Sequence, residues 1–411
     1  MGKCSCGAVV LVAALVLMSS VSAGAGFEVV CVEDGVHGYA TFQSHNQKVV
    51  ANAHGVFMTY LRSRNEAYTA QGWRLERSVD GGKTFATVFE AVDATNPAVL
   101  ETDAAGNVYL VRPDFVDGNA YLYRFLAEKD FKDPAITTIP NGAAGKFCLF
   151  LDEARGQLYY FAHNNTFHVI GLDGVVRRSV TLLAGGEHAV LQYPLLSMAR
   201  DGTLYAAWTT QKHGEYMYWD IHFMCSRDAG ESWCVPGGSA LTLPIVADDG
   251  GPAPRITLDD EFDAHTWLSS FVFKEDKLHF FYLAQSKPPR EHYMRYDAAT
   301  GKRELNMQPA FAGDTLSIRG LDGFFATREG KPLYAIGNGD GHLVCLVSRD
   351  NGATWKDYAR SEEHFNLYAI GGFRRITDDG YIIGSFTDSK PVEDLCGQNS
   401  RACFFKLAVP K

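Results

Sequence analysis

The sequence predicts an all-β chain folded as a seven-bladed β-propeller, and three observations lead there. An apolar strand, a Gly- or Asp-bearing turn and a second apolar strand recur seven times. The turns lie about fifty residues apart, the length of one four-stranded blade. An octet, Ser-x-Asp-x-Gly-x-Thr/Ser-aromatic, occurs three times. Helical periodicity is nearly absent beyond residue 23, and the aromatic and β-branched content suits strands. A six-bladed propeller with one hairpin demoted is the alternative.

In chain order, residues 1–23 have the form of a secretory signal. Lys3 supplies a short positive region, residues 7–18 form an apolar run, and Val21-Ser22-Ala23 is a small-residue cleavage site. The apolar run is too short to span a bilayer, so a secreted or periplasmic protein is expected, with no membrane partner after cleavage. The propeller is assigned to residues 24–411. Its seven hairpin turns fall at His54-Gly55, Ala105-Gly106, Arg155-Gly156, Asp201-Gly202, Glu275-Asp276, Glu329-Gly330 and Asp379-Gly380. Only the gap between the fourth and fifth is wider, and no Pro/Ser linker marks a second domain.

The octets begin at Ser78, Ser226 and Ser348 and end at Phe85, Trp233 and Trp355. Each piece suits a tight hairpin. The Ser hydroxyl and Asp carboxylate accept from the turn's own amides, Gly adopts positive φ, and the aromatic returns the strand to an apolar layer. The octets follow the first, fourth and sixth hairpin turns by roughly twenty residues, so each occupies the second hairpin of its blade. They resemble the Asp-box, or bacterial neuraminidase repeat, of sialidase-like β-propellers.

Composition bounds the partners. A net charge of −10 advertises no basic face for nucleic acid. Seven cysteines remain beyond the signal: Cys31, Cys148, Cys225, Cys234, Cys345, Cys396 and Cys403. No CxxC pair points to zinc or redox chemistry. Cys225 and Cys234 flank the second octet, and Cys396 and Cys403 bracket a polar loop. For each pair a disulfide and two buried thiols are both open readings. The long connection over 236–267 is rich in Gly, Pro and acid. A cleft wall, a supplied carboxylate or a structural calcium are its possible uses, but its spacing fits no metal loop, and no cofactor is assigned.

In a propeller, loops leading into the first strands and out of the second strands meet near the axis. In this chain they carry His45, Asn46, Lys146, Tyr193, Lys212, His213, Tyr218, His265, Trp267 and Tyr368. Such an inventory suits a polysaccharide or oligosaccharide: aromatics stack on sugar rings, while cations and amides bind carboxylates and hydroxyls. The Asp-box resemblance implies sialidase chemistry, in which arginines grip the substrate. The first-repeat Phe-Arg-Ile-Pro of that family is replaced here by Phe42-Gln43-Ser44-His45-Asn46.

Residues 192–210 (QYPLLSMARDGTLYAAWTT) and 292–301 (HYMRYDAATG) are similar to an exported repeat family that includes seven-bladed ulvan lyases. That resemblance implies eliminative cleavage of a uronate-containing polysaccharide, with His and Tyr moving protons and a cation quenching the carboxylate. His213, Tyr218, Tyr193 and His265 are the expected catalytic candidates. His45, Asn46, Lys212, Trp267, Arg295, Arg319 and Tyr368 are the expected substrate contacts. A sialidase-type hydrolase and a non-catalytic glycan-binding propeller are the alternatives.

Overall fold

The computed structural model describes residues 26–43, 45–63, 70–162, 166–214, 217–246, 248, 253–317, 322–389 and 397–410. The signal-like segment, Arg319 and Cys396 lie outside them. Among the described residues the helical pieces are two 3-10 turns, Ala127–Lys129 and Asp259–Glu261, and none is long and apolar enough to cross a membrane.

Seven antiparallel sheets surround one axis, and the chain is a seven-bladed β-propeller. Each of the seven expected hairpin turns joins the first and second strands of a blade. Blades 1, 2, 3, 5 and 6 are four consecutive strands each. Blade 7 is composite: Leu367–Gly372, Tyr381–Asp388 and Ser400–Ala408 are completed by the N-terminal strand Phe27–Val36. The last blade is thereby closed by the start of the chain.

Blade 4 departs from the expected four strands. Its sheet holds Ala189–Met198, Leu204–Lys212 and Tyr218–Ser226, and a fourth strand survives only as isolated bridges from Cys234 to Cys225 and Ala240. Val235-Pro236-Gly237-Gly238 explains the break, since Pro lacks an amide donor and Gly237 turns the chain with φ 69°. Cys225 and Cys234 do face one another across the hairpin. Their sulfurs are 3.1 Å apart.

The octet turns take one geometry. In the third, Gly352 N–H donates to Ser348 Oγ at 2.7 Å, Ser348 Oγ–H to Asp350 Oδ1 at 2.8 Å, and Thr354 N–H to Asp350 Oδ1 at 2.8 Å. The aromatic then crosses to the third strand of the preceding blade: Phe85 meets Phe404, Trp233 meets Phe167, and Trp355 meets Tyr293 edge-on at 5.1 Å. The octet glycine approaches the same ring. A Cβ on Gly352, whose φ is +80°, would lie 1.7 Å from the Tyr293 hydroxyl. The octet is therefore a blade-to-blade dock as well as a turn.

Candidate functional site

First strands run from the face carrying their leading loops to the face carrying the octets. Residues at their starts therefore gather at one end of the axis. Bulges in three of these strands aim the side chains. In blade 4 the register slips between Gln192 and Leu195, and Tyr193 adopts φ 47°. In blade 7 it slips between Tyr368 and Gly371, with Ala369 at φ 55°. Blade 5 slips between Leu268 and Ser270. An extra residue turns the flanking side chain out of the pleat, and such left-handed backbone is costly for non-glycine residues.

The result is one continuous aromatic cluster. The Tyr218 ring lies 4.5 Å from Trp267, 5.3 Å from Tyr193 and 6.0 Å from His265. Tyr193 also meets Trp267 at 5.7 Å and His45 at 5.4 Å. Lys146 Nζ sits 5.4 Å from the Tyr193 ring and 5.8 Å from Phe42, and Phe42 stacks on Tyr368. Tyr193, Tyr218 and His45 are buried as a floor, while His265, Trp267, Lys146, Phe42 and Tyr368 are half-buried around it.

Electrostatics give each group a state. His265 Nδ1 accepts the Tyr218 backbone N–H at 3.1 Å. A ring nitrogen that accepts cannot carry the proton, so neutral His265 holds its proton on Nε2. Burial pushes His265 below its ordinary value, which favours that neutral form. His45 is pushed down to about 3 by burial and by the charges of Lys48, Lys146 and Arg374, so its ring is neutral. Burial also lowers Lys146, and it lowers Lys48 to about 7. Lys48 is 1% exposed and its Nζ has no hydrogen-bond partner. In an acidic chain, this end of the axis is locally cationic.

Several expected contacts are placed elsewhere. Asn46 is buried and donates to the Phe147 carbonyl and to Gln43 Oε1 at 3.3 Å, so it anchors its loop instead of facing a ligand. Arg295 lies toward the octet end of its strand, paired with Glu304 at 3.0 Å and donating to the Asn351 carbonyl at 3.1 Å. Five residues into a third strand, it is carried away from the cluster. His213 stands beyond the Gln211–Tyr218 register pair, at an exposed hairpin tip, with Nε2 3.2 Å from the Gly186 carbonyl. Lys212, on the same hairpin, covers a second aromatic pair formed by Trp219 of that hairpin and Phe262 of the acidic connection, at 4.7 and 5.6 Å.

The acidic connection is largely engaged internally. Asp248 accepts the amides of Glu187, His188 and Ala189, and Asp260 pairs with Arg290. Glu261 is buried and accepts from His292 at 2.6 Å and Tyr282 at 2.8 Å. These bonds fix the loop that delivers Phe262 and His265. A polar cavity of about 380 Å³, lined by Asp34, Gly35, Asn366, Asp388, Asn399 and Arg401, contains no cluster residue. Its arginine is held by Asp388, so it offers no free cation.

No protein-family model matches the chain, and no curated protein matches it in sequence. Solved structures do. An ulvan lyase from a new polysaccharide lyase family superposes with TM-score 0.63 at 12% identity, covering 91% of this chain and 95% of its own. A second structure of that enzyme, bound to -[GlcA(1-4)Rha3S]-, gives the same values. The polysaccharide lyase Uly1 gives 0.58 at 12% identity, covering 90% and 91%. An α-L-arabinanase from Penicillium chrysogenum, complexed with arabinobiose, gives 0.52 at 11% identity, covering 92% and 97%. At such identities the likeness establishes the fold.

Proposed function

We propose that this chain is an exported carbohydrate-active enzyme that cleaves an acidic, uronate-containing polysaccharide by elimination at the axial cluster. The observation that carries the reading is the convergence of Tyr193, Tyr218, His265 and Lys146 on one partly open floor. Elimination removes the proton beside the uronate carboxylate and expels the glycosidic oxygen. Lys146, with Lys48 beneath, lowers the energy of the charge that develops on the carboxylate. Tyr193, beside Lys146, takes that proton as its tyrosinate, and the neutral Tyr218 hydroxyl gives its own proton to the leaving glycosidic oxygen. His265, with its proton on Nε2, acts as a neutral donor to the carboxylate. Trp267, Phe42 and Tyr368 stack on sugar rings. Lys212 and the 39%-exposed Phe262 extend the contact outward along the chain of the substrate.

The solved lyase and arabinanase propellers support a carbohydrate partner. A panel of acidic polysaccharides, read by reducing ends and by ultraviolet absorbance of the unsaturated uronate, tests the proposal. Both signals should rise together, and Tyr218→Phe should lower turnover by roughly 10²–10⁴-fold while the protein stays folded. Reducing ends without absorbance would indicate a hydrolase. Binding without either product would indicate a glycan-binding propeller.

A further inference from the structure

Of the described cysteines, two meet at the seam where the ring closes. Cys31 lies in the N-terminal strand and Cys403 in the third strand of blade 7, and they are direct Cα partners in the antiparallel register. Cross-strand partners sit within the Cα range that a disulfide spans. Cys31 is exposed, whereas Cys403 is 1% exposed. Cys31 Sγ–H donates to Asp34 Oδ1 at 3.5 Å and Cys403 Sγ–H to the Arg401 carbonyl at 4.0 Å; the neighbouring Cys403 holds Cys31 below its ordinary value, while Cys31 and burial raise Cys403. Asp34 and Arg401 are the other charges facing Cys31, and Asp388 also faces Cys403.

The location gives the pair a consequence. The strand carrying Cys31 ends at Val36, and the next residues, 37–47, supply Tyr39, Phe42 and His45 to the cluster. That strand is held to blade 7 by its pairing with Ser400–Ala408, and to blade 1 by Glu33, which binds Arg62 at 2.7 Å and Tyr60 at 2.7 Å. We propose that Cys31 and Cys403 are a disulfide-forming pair, a covalent clasp that closes the propeller and fixes the strand feeding the site loop. Its chemistry needs a disulfide donor such as oxidised glutathione. The exposed Cys31 thiolate attacks one glutathione sulfur and expels a glutathione thiolate. Cys403 loses its proton and attacks Cys31 Sγ in the mixed disulfide, expelling the second. Two protein thiols are oxidised, one glutathione disulfide is reduced, and both protons end on the released glutathione.

The clasp is independent of the enzymatic reading, and its test requires no substrate. The full chain is incubated with oxidised glutathione, alkylated under denaturing conditions and mapped by peptide mass spectrometry. A cross-linked peptide pair holding Cys31 and Cys403, lost on reduction, is expected. Closing so long a loop should raise the unfolding temperature by about 5 °C. Cys31→Ser, an exposed substitution, should abolish both the cross-link and the rise, while Cys225→Ser should leave both in place. Alkylation of both thiols, a glutathione adduct stalled on Cys31, or a Cys396–Cys403 cross-link would overturn the assignment. A correct cross-link with no change in unfolding temperature would overturn the clasp role.

Discussion

Lys48 shows how one residue can be unfavourable for the fold and useful to the site. Its buried ammonium has no hydrogen-bond partner, and burial lowers it from 10.5 to about 7. The unfolded chain keeps that proton up to about pH 10.5, whereas the folded chain releases it near 7. Between those values the unfolded state binds more protons, so this residue makes stability rise with pH there. Below about pH 7 both states hold the proton, and the full cost of burying the charge remains. Lys48→Met should therefore raise the unfolding temperature most at or below neutral pH, and progressively less toward pH 10. The same variant should bind an acidic oligosaccharide more weakly, because an uncompensated cation beneath the floor is lost. Thermal unfolding across pH, with calorimetric titration of the oligosaccharide, measures both; a variant less stable at pH 6 than the parent would refute the account. No sequence signal marked Lys48, which reads as one more polar residue before a strand. Tyr193, Tyr218, His265, Trp267, His45 and Tyr368 were legible because residues at the starts of blade strands are brought to the axis by the repeat. Arg295 was misplaced because alternation along a strand does not tell one end from the other.

At the scale of elements, the octet makes a sharper demand than its turn chemistry suggested. Any small residue with positive φ would satisfy the hairpin. The closeness of the Gly352 Cα to Tyr293 admits only hydrogen, because the Tyr293 hydroxyl stands where a Cβ would be built. Gly352→Ala should cost more than about 1 kcal/mol, through the positive φ and through separation of blades 5 and 6. Moving the same change to Gly330, which has positive φ but nothing within 4 Å of a Cβ, separates the two causes. Urea unfolding of both variants is the measurement, and equal losses would show that the inter-blade dock adds nothing. The seven first hairpins were legible because each turn carries its own local chemistry. The composite seventh blade was not, since its closing strand pairs with a segment at the far end of the chain and no local pattern announces the partner.

For the whole molecule, the question is what keeps seven similar sheets in one closed ring. Hydrophobic contact between neighbouring blades is sequential, and each interface sees only two blades. Arg374 works differently, reaching from blade 7 to three others. Its backbone N–H and Nε donate to Gln47 Oε1 of the loop leading into blade 1, at 2.9 and 3.2 Å. Its guanidinium pairs with Glu101 of blade 2 and donates to the Leu149 carbonyl of blade 3 at 3.2 Å. Burial raises the Glu101 carboxyl and the Arg374 charge opposes that rise, so the pair is mutually dependent. Removing Arg374 leaves the buried Glu101 only the weaker Arg375 charge and a Gln47 hydrogen bond, and breaking comparable buried pairs costs about 3–5 kcal/mol. Arg374→Ala should lose about that much stability by urea unfolding, and most of it should return in the Arg374→Ala/Glu101→Gln double variant, where no buried charge is left alone. A planar fork serves several acceptors at once, so Arg374→Lys should recover only part. If Arg374→Ala instead falls within about 0.5 kcal/mol of the parent, the range of an ordinary surface change, ring closure rests on the blade interfaces and the N-terminal strand alone.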